Sequence, residues 1–207
     1  MTTKPSLTLW VGLAFGFASC LAVTVFSIKG VEKEGTITAL KITARFSFML
    51  FWPAYAGSAI ATLFGPRFAP LKRYSRHFGL AFASAQLVHL GTVFWLCWMG
   101  AAPPVFDFII FGIAAAFTYL LALTSIDQLH RMLTPLLGRV LRIVGLNYIA
   151  CMFAFDFLRS PNGLAGQTAF YLPFSILAVA GPVLRFAAFL SSARPKATHL
   201  RRADSAQ

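Results

Sequence analysis

Six apolar runs, separated by short polar breaks, organise this chain: Leu7–Ile28, Phe46–Phe64, Gly79–Ala102, Val105–Thr124, Ile143–Leu158 and Ala169–Leu190. A helix rises 1.5 Å per residue, so about 20 apolar residues cross the roughly 30 Å hydrocarbon core of a bilayer. The pattern predicts an all-α fold, a six-helix transmembrane bundle occupying residues 1–190. The first run, at 22 residues, exceeds the roughly 7–15 of a signal-peptide core and reads as a retained helix.

The breaks refine this layout. Gly65–Phe78 holds Pro66, Pro70 and four basic residues, a loop by composition. Ala102-Pro103-Pro104 and Pro161-Asn162-Gly163 read as tight turns. Residues 29–45 read as a polar loop and a half-polar helix start, with Lys41 and Arg45 one turn apart and directed to head groups. The 124–142 connection is expected to lie as an amphipathic helix on the membrane surface. Pro53 should kink the second span, and Gly12 and Gly16 have the spacing that lets helix backbones approach closely. The tail 191–207 is basic and polar, the composition of a poorly ordered terminus.

Composition supports the same class. The chain has 207 residues, 58% hydrophobic, with 12% charged and a mean hydropathy of +0.73, whereas soluble chains carry roughly a quarter charged residues. Spans and loops fill nearly all of this length, so no flavin or nicotinamide module fits within it. The net charge of +12 is distributed by side. Lys4, Arg67, Lys72, Arg73, Arg76, Arg131, Arg139, Arg142, Arg185, Arg194, Lys196, Arg201 and Arg202, 13 of the 18 basic residues, fall on one side of a six-span topology. Basic loops face the cytoplasm, so both termini are expected there, in a bacterial-type inner membrane. Orientation and the lipid bilayer account for the charge without nucleic acid. Cys20, Cys97 and Cys151 all lie within spans; an odd number there argues for packing rather than disulfides.

One ionisable residue stands in the middle of an apolar run. His89 lies ten residues after Gly79, about 15 Å deep, with Gln86 three residues earlier on the same helix face. An imidazole in a membrane core raises a functional hypothesis by default, and neutral histidine is a good iron ligand. His77, His130 and His199 fall at the membrane border, in a loop and in the tail. Asp107, Asp156 and Arg185 stand near span ends, where charges anchor helices.

The stretch Arg76–Leu90 (RHFGLAFASAQLVHL) resembles the third helix of the ferric reductase-like transmembrane domain family, which includes the haem-bearing membrane subunit of the methionine-sulfoxide reductase system. Ala44–Phe48, Leu123–Asp127 and Gly145–Tyr148 follow the same pattern in order, so the resemblance covers roughly residues 40–160. It implies haem b held between the third and fifth helices and electrons passed across the membrane, supplied by quinone or a redox partner protein. Carried over residue by residue, it leaves His89 as the axial ligand of the haem iron. Gln86 stands where the family often has a further histidine, and Arg142 and Asn147 stand at or near the helix-five positions. Three accounts of His89 stay open. It ligates haem, alone or with Cys151 or Met152; it is a polar core residue paired with Gln86 in a scaffold or accessory protein that has lost haem; or it lines a path for a proton or small solute. The oligomeric state is not legible.

Overall fold

The computed structural model describes residues 6–125, 134–159 and 165–193, the side chains of 165–170 excepted. Its elements are α1 (Leu7–Lys29), α2 (Lys33–Phe64), a 3-10 turn (Pro66–Phe68), α3 (Ala69–Arg73), α4 (Ser75–Trp98), α5 (Val105–Thr124), α6 (Pro135–Arg159) and α7 (Ala165–Ala193). No strand occurs among the described residues. Six of the helices, α3 excluded, are long and apolar enough to cross a membrane, as a multi-pass membrane protein requires.

Helix ends follow local chemistry that hydropathy does not register. Ser6 caps α1 by accepting from the Leu9 amide, and Gly30, at φ 79°, ends it. The chain then re-enters helix at Lys33, so residues 33–45 belong to α2 and are not the expected loop. Threonines there satisfy their hydroxyls within the helix: Thr38 donates to the Glu34 carbonyl, and Thr43 Oγ1 lies 2.8 Å from that of Ala39. α4 spans Ser75–Trp98 where Gly79–Ala102 was expected, because Gly100 at φ 73° closes the helix and Pro103 and Pro104 follow. Residues 135–142 continue into the fifth span and form no separate surface helix. Residues 126–133 and the tail from 194 lie outside the described residues.

α2 is the central helix and packs against α1, α4 and α7, while α5 packs on α6 and α6 on α7. A ring of α2, α4, α5, α6 and α7 results, with α1 laid across the α2–α4 edge. Along α2, Thr36, Ala39, Thr43, Ser47, Phe51, Tyr55 and Ala59 form one buried stripe at three- and four-residue spacing. In its first half the residues are small, which admits close neighbours. In its second half Phe51 and Tyr55 are aromatic and fill the ring. Phe48, Phe51, Phe82, Phe153, Phe157 and Phe174 interlock there, with centroids 5.0–6.2 Å apart, within the favourable range for tilted and edge-on aromatic pairs.

Several expected packing roles change hands. Gly12 and Gly16 face open space, and α1 instead buries Ala14, Ala18, Ala22 and Val25. Cys20 and Cys151 are exposed and Cys97 half-buried, so the first two are not packing residues. The close approach occurs at Gly57, where an added Cβ would sit 3.1 Å from Leu71. After Phe64 the chain therefore folds back along α2, and α3 rests on its glycine.

Candidate functional site

His89 lies on the α4 stripe Phe82–Ala85–His89–Thr92–Leu96, whose members recur every three or four residues. Its Nδ1 is 3.0 Å from Thr43 Oγ1 on α2. The same Oγ1 lies 2.8 Å from the Ala39 carbonyl and 3.2 Å from the Leu40 carbonyl. Thr43 Oγ1 and His89 Nδ1 share one proton across the two helices, and the imidazole tautomer sets which of them donates it. Thr92, one turn on, donates to the His89 carbonyl at 2.7 Å. His89 thus ties α4 to α2 by an interhelical hydrogen bond.

The other expected partners stand elsewhere. Gln86 does not pair with His89, and its buried Oε1 has no hydrogen-bond partner, as is also true of the Ser47 hydroxyl on the facing helix. Asn147 accepts from the Tyr55 hydroxyl at 2.8 Å and donates to the Ile143 carbonyl at 2.8 Å. Thr43 and Tyr55, the α2 contacts of His89 and Asn147, are 12 residues apart, about 18 Å along the helix. Cys151 is exposed on the flank of α6. His89, Gln86, Asn147 and Cys151 therefore do not converge on one point.

A haem between α4 and α6 would need open space between those helices. At mid-bundle, above the cavity described below, that space holds Phe82 of α4 and Phe153 of α6, 6.0 Å apart, with Phe51 of α2 at 5.2 and 5.5 Å from them. The residues present do not fit the group. For other metals, no group of three or more His, Cys, Asp or Glu side chains gathers among the described residues.

Two features not anticipated in the sequence surround the aromatic plug. Arg45 was expected to reach head groups; instead its guanidinium lies 4.4 Å from the Tyr171 ring and 5.7 Å from that of Phe174, and its Nε is buried without a partner. Arg185 likewise turns inward, 4.5 Å over the Tyr55 ring. Cation–π contact is one way a bundle holds a guanidinium, and Arg45 also interacts electrostatically with the Asp156 carboxylate. Near the chain's acidic end, Asp107 pairs with Arg159 at 2.7 Å, joining the ends of α5 and α6.

The second feature is a cavity of about 330 Å³ at the opposite, basic end of the ring. It lies between α2, α4, α5 and α6, and Phe51, Phe82, Leu121, Leu146 and Ile149 form its apolar wall. Its polar lining is Ser75, Arg76, Thr118, Thr124, Ser125 and Arg142. Arg76 donates to the Ser125 carbonyl, bracing α4 against the end of α5. Arginines brought together by separate helices could not be located from spacing along the chain. Comparison with known proteins returns no matching family model, no matching curated protein and no matching solved structure.

Proposed function

We propose that this chain is a haem-free, multi-pass membrane protein, built on a bundle resembling the ferric reductase-like plan and serving as an accessory or scaffold subunit rather than an electron carrier. The aromatic plug carries this reading, because Phe51, Phe82 and Phe153 occupy the interhelical space that a haem would take. Two further observations support it. His89 is engaged as a helix tie to Thr43, and the helix-five candidate Asn147 is engaged with Tyr55. The basic ends of the helices face the cytoplasm in this reading, following the distribution of lysine and arginine.

The test is transmembrane electron transfer. Purified protein is reconstituted into liposomes loaded with ferricyanide, and a quinol or dithionite is added outside. The expected result is a reduction rate equal to that of protein-free liposomes. A rate that rises with protein and falls in His89→Ala would overturn the proposal.

A further inference from the structure

We propose that the basic-end cavity is a binding site for a phosphoryl oxyanion, with Arg142 as its principal cation. Each element of the site is supplied by the fold. α6 carries Arg142 to the wall, and α4 supplies Arg76, already oriented through the Ser125 carbonyl. Arg142 has no ion pair or hydrogen bond among the described residues. The described acidic residues, Glu32 just before α2, Glu34, Asp107 and Asp156, all sit at the other end of the bundle. Among the described lining residues none is acidic. The Arg142 guanidinium favours an anion, and guanidinium geometry matches phosphate oxygens in bidentate fashion. About 330 Å³ falls at the small end of the range for small-molecule pockets.

The wall specifies more than charge. Phe51, Phe82 and Leu121 give the cavity an apolar floor beneath its cationic mouth. A ligand with a phosphoryl head and a short apolar portion satisfies both surfaces. The same chemistry is offered by the head group of an anionic phospholipid and by a soluble phosphate ester. Arg139 lies on the same helix one turn before Arg142 but does not line the cavity. It therefore separates a built site from a merely basic membrane surface.

The full chain is studied in two arms. In detergent, inorganic phosphate and glycerol 3-phosphate are titrated while thermal unfolding is followed. In nanodiscs of phosphatidylcholine, with or without phosphatidylglycerol, bound anionic lipid is counted by native mass spectrometry. Arg142→Gln should weaken binding roughly tenfold or more, the loss expected for a charge-assisted hydrogen bond, while Arg139→Gln leaves it unchanged. An Arg142-dependent response in the detergent arm supports the site with a soluble ester as ligand; one in the nanodisc arm supports it with a lipid. Absence of binding in both arms, or equal losses in the two variants, overturns the proposal. Far-UV circular dichroism of Arg142→Gln confirms that any loss is not unfolding.

Discussion

Replacing Thr43 by valine isolates the tie that this structure assigns to His89. The side chains are similar in shape, so the change removes the hydroxyl that bonds to Nδ1 at 3.0 Å and little else. The lost bond to the Ala39 carbonyl is local, and that carbonyl keeps its place in the helix ladder. Interhelical hydrogen bonds in membrane bundles contribute about 0.6 kcal/mol on average and up to about 1.7. The stranded Nδ1 adds a desolvation cost of roughly 1 kcal/mol or more. Thr43→Val should therefore destabilise the bundle by about 1–2 kcal/mol. His89→Ala also removes packing and should cost about 2 kcal/mol or more. The double variant should fall short of the sum by about 0.6–1.7 kcal/mol, the share belonging to the shared bond. Unfolding in mixed dodecyl maltoside and dodecyl sulfate micelles, followed by circular dichroism, measures all four proteins. Additivity within about 0.3 kcal/mol would refute the tie.

Other perturbations probe the same architecture. Tyr55→Phe keeps the ring against Phe51 and Arg185 but leaves Asn147 Oδ1 without its 2.8 Å donor; a loss of about 1–3 kcal/mol is expected in the same unfolding assay. Gly57→Ala forces a Cβ within 3.1 Å of both the Leu71 side chain and its carbonyl oxygen, so α3 must shift, at a cost of about 1–3 kcal/mol. Limited proteolysis between Phe64 and Ser75 should then accelerate. Phe153→Ala opens the centre of the plug, since this ring contacts Phe48, Phe51, Phe82 and Phe157; roughly 3 kcal/mol should be lost.

The six long apolar helices were legible because hydropathy is a property of composition along the chain. Val105–Thr124 matches α5 as observed, since prolines precede it and polar residues follow. The start of α2 was not legible, because hydropathy cannot distinguish a polar loop from a helix whose threonines bond back to its own carbonyls. The direction of side chains was the larger gap. Arg45 and Arg185 sit within reach of span ends in sequence, yet both turn inward onto aromatic rings. Thr43 carries no motif, although its place on a stripe of small residues at helical spacing was available as a clue. Asn147 was noticed for its place in a family pattern, while its partner Tyr55, 92 residues away in sequence, could be found only through the packing of α2 on α6. The cavity is assembled from four helices, and no local spacing encodes it.

The central claim is that Phe51, Phe82 and Phe153 close the space between α4 and α6 above the basic-end cavity and leave His89 as a structural tie. An absorption spectrum tests this most directly, recorded oxidised and dithionite-reduced on protein purified from haem-supplied cells. No Soret band at stoichiometric intensity is predicted, and added haemin should produce no band that depends on His89. A stoichiometric Soret peak with α and β bands that shift on reduction, absent in a folded His89→Ala protein, would contradict the account.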